Sequence, residues 1–203
     1  MAKKKRKQKL TLYAVLEGER EESFFKFLQE IYYDKETLSI HPSPSYGGKP
    51  ESLINQAIRH ADRDRCFVWL DEDQEFTDRD SLYKAWNISE VSRDKFMKEP
   101  LGLLQEKFNP DNKRKPSLIV SKPISVEAFI LKVLGREIPL DCQILKPPER
   151  ERQVRKLKNT LDGILENKDE LRYYQDQLPE SILEVRRKNI PELDLLISMF
   201  ECD

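Results

Sequence analysis

The sequence predicts an α/β fold, a mostly parallel sheet with flanking helices followed by a C-terminal helical appendage, on three observations. Short runs of strand-favouring residues alternate with segments whose apolar residues recur at helical spacing, and such β-α units lay their strands side by side in one direction. One run, Cys66 to Leu70, is nearly all apolar, as suits a central strand covered on both faces. Beyond Pro148 the strand-like runs cease and the chain becomes helical in pattern and highly charged.

The first strand is expected over Leu10 to Leu16, with Glu17-Gly18 closing it in a turn that glycine makes at little steric cost. From Arg20 onward Phe24, Phe25, Leu28, Ile31 and Tyr32 share one face of a helix able to cover a sheet. Thr37 to Ile40 reads as a second short strand. The prolines and glycines from His41 to Pro50 then read as a loop at the rim of a site. Pro50 suits the first turn of a helix whose Leu53, Ile54, Ala57, Ile58 and Ala61 face the core. The third strand is Cys66 to Leu70. Residues 75 to 116, with three prolines, read as an insertion beside the sheet. Ser117 to Val120 is a further apolar strand, and Val126, Phe129, Ile130 and Val133 mark a helix ending near Gly135. In the tail, Val154, Leu157, Leu161, Ile164 and Leu165 form one stripe and Leu193, Leu196, Ile197 and Phe200 another, with Pro179 and Pro191 starting separate helices.

These elements divide the 203 residues into a basic, flexible N-terminus (1–10), an α/β domain (11–146) and a helical appendage (147–203) suited to docking a partner. The 36 basic and 37 acidic residues nearly cancel, so the whole molecule is not a basic surface built to wrap nucleic acid. The N-terminal run of Lys3, Lys4, Lys5, Arg6, Lys7 and Lys9 could hold a phosphate backbone or simply be solvated. Cys66, Cys142 and Cys202 are widely spaced and without a CxxC pair, which argues against a disulfide framework or zinc knuckle and for a reducing, cytoplasmic compartment. The Leu10–Leu16 run is too short to cross a membrane, so no membrane association is expected.

In a parallel sheet, ligands collect outside the carboxyl ends of the strands. Glu17 follows the first strand, Asp71 follows the third, and Asp73 lies two residues on, facing the same way if the chain stays extended. Three carboxylates brought together repel one another unless a cation neutralises them. Mg²⁺ or Mn²⁺, a hard ion taking oxygen ligands, suits such a set. Taken alone, Asp71-Glu72-Asp73 is also what an ordinary polar turn looks like.

Lys49, Lys122 and the Lys113-Arg114-Lys115 cluster could line a phosphate path, with Tyr46 and Trp69 as stacking surfaces, although Trp69 fits a core position better. His41 could contact a phosphate or be a plain loop residue, and His60 reads as structural or exposed. Ser121 and Ser125 lack the His/Asp context of a hydrolase triad.

Four segments resemble the RloB-like family of small toprim-related prokaryotic proteins. They are Leu16-Glu-Gly-Glu-Arg-Glu-Glu22 before an aromatic helix, Gly47-Gly-Lys-Pro-Glu-Ser-Leu53, Val68-Trp-Leu-Asp-Glu-Asp73 and Ser121-Lys-Pro-Ile-Ser-Val-Glu127, in the family's order. The resemblance covers roughly residues 3 to 134 and implies a toprim-like fold, Mg²⁺-dependent phosphodiester chemistry on DNA or RNA, and an AAA-type or ABC-type ATPase partner in anti-phage defence. It implies Glu17 as general acid or base, Asp71 and Asp73 as metal ligands, Glu127 as a further carboxylate, and Glu21 as a ligand of a second metal, as in OLD-type toprim nucleases. Two departures are Lys122, where the family carries Asn, and Gln74-Glu75 after the Asp-x-Asp, with Glu75 a replacement ligand or a solvated residue.

The sequence thus supports a metal-dependent nuclease first. A non-catalytic metal- or nucleic-acid-binding subunit of an ATPase complex is second. A haloacid-dehalogenase-type phosphatase with Asp71 as nucleophile fits poorly, because Glu75 stands where those enzymes carry Thr or Val. The number of copies that assemble is left open.

Overall fold

The computed structural model describes residues 9–45, 49–72, 104, 116–138 and 147–201. In chain order these form β1 (Leu10–Leu16), α1 (Glu19–Tyr32), β2 (Leu38–Pro44), α2 (Pro50–Arg59), β3 (Arg65–Asp71), β4 (Ser117–Ser121), α3 (Val126–Val133), α4 (Pro147–Leu165), α5 (Glu170–Gln177), α6 (Glu180–Arg187) and α7 (Pro191–Ser198). The strands make one sheet in the order β2-β1-β3-β4, parallel throughout, so the α/β expectation holds.

The layers follow from strand alternation. Leu12, Ala14 and Leu16 of β1, Phe67 and Trp69 of β3 and Ile119 of β4 point to one face, under α1 and α3. Val15, Val68, Leu70, Leu118 and Val120 point to the other, under α2, with Leu53, Ile54, Ala57 and Leu104. β2 lies on one side of β1 and β3 on the other, so right-handed crossovers must put α1 and α2 on opposite faces, as observed.

β2 continues to Pro44, past the expected end at Ile40, and takes in the first part of the expected loop. Two prolines are tolerated because β2 is the sheet edge among the described strands. The Ser45 N–H donates to the Leu16 carbonyl at 2.9 Å, so odd-numbered N–H groups face β1 and the nitrogens of Pro42 and Pro44 face outward. α2 ends at Arg59, with Ile58 exposed and Ala61 in the following turn. The apolar face expected to run to Ala61 therefore stops at Ala57.

α3 ends as its sequence predicts. Gly135 has φ +79, its N–H donates to Lys132 O at 3.0 Å, and the Arg136 N–H donates to Leu131 O at 2.9 Å, the paired bonds of a Schellman cap.

The C-terminal helices lie on the α1/α3 face and share its core. Leu157, Leu161, Leu165, Tyr174, Leu183, Leu193, Leu196 and Phe200 are buried with the sheet residues. Phe24 of α1 sits among Trp69, Phe129 and Tyr174, with ring centroids 6.3, 5.6 and 5.4 Å away in edge-on geometry, a favoured aromatic arrangement. Phe25 packs on Phe200 at 5.1 Å. Arg65 at the start of β3 donates to the Ser198 and Met199 carbonyls, both at 2.9 Å, and so caps the C-terminal end of α7. Among the described residues no helix is long and apolar enough to cross a membrane.

Candidate metal centre

In the order β2-β1-β3-β4 the chain passes from β1 to one side and then from β2 back across to β3 on the other, so the ends of β1 and β3 form the topological switch point at which a parallel sheet opens a crevice. Glu17 leaves the end of β1 and Asp71 is the last residue of β3. Glu21, in the first turn of α1, reaches the same point. One carboxylate oxygen from each of Glu17, Glu21 and Asp71 lies within 4.8 Å of the other two. The cleft around them is also lined by Gly18, Glu19, Arg20, Val126, Glu127, Lys158, Asp162 and Glu170.

Local backbone structure fixes each carboxylate. The Asp71 N–H donates to Glu17 Oε2 at 3.3 Å, joining the two strand ends. Asp71 Oδ1 accepts the Val126 N–H at 2.6 Å, and Glu72 accepts the Ile124 N–H at 2.9 Å. The turn after β3 is thereby tied to the start of α3, where free N–H groups and the helix dipole favour negative charge. Ile124 holds φ 71, a left-handed conformation that β-branched residues rarely adopt and that tends to concentrate at functional sites.

Glu21 is almost fully buried. Burial pushes its carboxyl up to about 8, opposed by hydrogen bonds from its own N–H and that of Gly18 and assisted by the negative charges of Glu17 and Glu127. This fold-back onto the helix start resembles half of a capping box. It also revises the reason for Gly18. The residue's φ of −149 is open to any side chain, whereas a Cβ there would meet Glu21 Oε2 at 3.2 Å. Gly18 is explained by close approach, not by the turn.

Of the expected ligands, Glu17, Glu21 and Asp71 come together and Glu127 lines the same cleft. Glu17, read as the proton-transfer group, sits geometrically among the potential ligands. Asp73 lies outside the described residues, as do Glu75, Tyr46, Lys113 and Arg114. Lys49 is exposed and Lys122 half-buried, and neither lines the cleft. Its described cations are Arg20 and Lys158. Trp69 is fully buried, its Nε1–H donating to Ser121 Oγ at 2.8 Å, which removes it as a stacking surface. His41 is an exposed strand residue 3.3 Å from Ser39 Oγ, and His60 stacks on Tyr13 at 3.8 Å.

Sequence reasoning missed Arg20, Asp162 and Glu170 as site residues, and it reads Lys158 as part of a solvated helix face that nucleic acid could still use. Only Arg20 stands inside a recognised motif. The others come from the tail, and nothing in their spacing links them to residue 17.

Chemically, three clustered carboxylates, one of them buried and hard to ionise alone, form a donor set for a metal ion. Comparison with protein-family models, curated proteins and solved structures finds no match to this chain, so its functional reading rests on these residues and their geometry.

Proposed function

We propose that the chain is a Mg²⁺-dependent phosphodiesterase of toprim type that cleaves DNA or RNA, with Mn²⁺ able to substitute, and that it works with an ATPase partner in anti-phage defence. The observation that carries the reading is the convergence of Glu17, Glu21 and Asp71 at the β1/β3 crevice. A bound divalent ion at such a site activates water and neutralises charge developing on a phosphodiester.

The remaining steps belong to the chain's own groups. Asp71, whose Oδ1 accepts the Val126 N–H, would be a ligand of the ion together with Glu21. Glu17, which accepts the Asp71 N–H, would accept or return the proton of the attacking water in this reading. Glu127 adds negative charge at the rim, and Lys158 offers a cation to an incoming phosphate across the cleft. The ATPase partner and the defence role rest on the resemblance of the four sequence segments to the RloB-like family.

The test is cleavage of labelled DNA and RNA by the full chain with Mg²⁺ or Mn²⁺, alongside Glu17→Gln and Asp71→Asn. Metal-dependent cutting that falls at least about 100-fold in both variants is expected, the scale of losing a metal-centred catalytic group. Retained cutting by a folded Asp71→Asn protein would refute the reading. A native chain that binds metal yet does not cut, alone or with an ATPase partner, favours a non-catalytic metal-binding subunit.

A further inference from the structure

We infer that Arg20 is a positioning residue for the metal centre, and that the C-terminal helices act on that centre through it. The inference rests on the metal-binding reading above.

Arg20 stands in the first turn of α1, between Glu19 and Glu21 and three residues after Glu17. Its Nη1–H donates to Glu170 Oε2 at 2.7 Å and its Nη2–H donates to Asp162 Oδ1. Those acceptors lie on α5 and α4. Glu170 also accepts the hydroxyl of Tyr174 at 2.6 Å, and Tyr174 is fully buried, edge-on to Phe24 and packed on Phe27. A continuous set of contacts therefore runs from the buried aromatic cluster, through Tyr174, Glu170 and Arg20, to the turn that carries Glu21, and Asp162 holds the second arm of the guanidinium. The Arg20 side chain is about three-quarters covered and its guanidinium reaches two acceptors at once. That geometry suits arginine's planar fork better than a lysine ammonium.

Charge alone would assign Arg20 the opposite effect. A cation lining an acidic cleft repels a divalent ion, while Asp162 and Glu170 attract one. If charge decided, removing Arg20 would tighten metal binding and removing the two acids would loosen it. If position decides, both changes release the first turn of α1 and both loosen binding.

The experiment is calorimetric titration of Mn²⁺ into the metal-free full chain, with circular dichroism and thermal unfolding recorded in parallel. Arg20→Met is expected to weaken Mn²⁺ binding about tenfold, the lower end of what outer-shell partners contribute to metal affinity. The Asp162→Asn, Glu170→Gln double variant should weaken it too, and Arg20→Lys should fall between wild type and Arg20→Met. Unchanged or tighter binding by folded Arg20→Met overturns the inference. Should Arg20→Met fail to fold, the charge-swapped pair decides. Arg20→Glu is expected to bind more weakly than wild type and Arg20→Glu, Glu170→Arg to recover, whereas Arg20→Glu binding more tightly overturns the inference. Loss of binding in Asp71→Asn with retention in Arg20→Met rejects the positioning role and spares the metal centre. Binding by wild type that Asp71→Asn does not alter rejects both.

Discussion

Glu21 carries a carboxyl that the fold keeps protonated at neutral pH, since its value rises from 4.5 to about 8 on burial. The folded chain therefore holds a proton that the unfolded chain releases above about pH 4.5. Between there and about pH 8 the folded state binds more protons, so stability falls as pH rises through that window. Thermal unfolding in EDTA should show the midpoint dropping from pH 5 to pH 8.5, with a shallower drop in Glu21→Gln. A divalent ion should flatten the wild-type profile by replacing the proton, and equal slopes for the two metal-free proteins would contradict this account. The sequence marked Glu21 only through the resemblance of its four-residue spacing from Glu17 to the OLD-type toprim nucleases. Its burial was not legible, because it depends on Glu127 and the sheet edge being brought against it. Gly18 teaches a similar lesson, being readable as a turn residue while its reason lies in a contact with Glu21 Oε2.

At the scale of elements, β1, β3, β4 and α3 were legible because their side-chain period and flanking residues agree, as in Cys66–Leu70 and the Gly135 cap. β2 was cut short because Pro42 and Pro44 argue against a strand unless it is known to lie at an edge, and edge position is a property of the sheet. The tail's apolar stripes were visible, but not what they cover. Each buried Leu, Ile or Phe contributes about 1.5–3 kcal/mol. Removing those from Leu157 to Phe200 would also uncover Phe24, Phe25 and Phe27, which pack on Tyr174 and Phe200. A chain ending at residue 146 should therefore lose cooperative thermal unfolding and bind a hydrophobic dye. A sharp unfolding transition in that fragment would show that the α/β part stands alone. Tail deletion is accordingly a poor test of partner docking, and surface substitutions on exposed Ile182 and Val185 are a cleaner one.

For the whole molecule, near-neutral net charge hides a local separation, with carboxylates gathered at one crevice and few cations facing them. The sheet order explains the gathering, since Glu17 and Asp71 are 54 positions apart in sequence yet end adjacent parallel strands. Rhythm and strand-end position sufficed to foresee that pair. The tail's share of the cleft was invisible because it arises only when α4 and α5 fold back over the start of α1. The central claim is that these carboxylates hold a divalent ion, and the most direct measurement is Mn²⁺ titration of the metal-free chain by calorimetry. Saturable binding that is lost in both Glu17→Gln and Asp71→Asn is the predicted result. Absence of binding by the native chain, or binding indifferent to both substitutions, would contradict it.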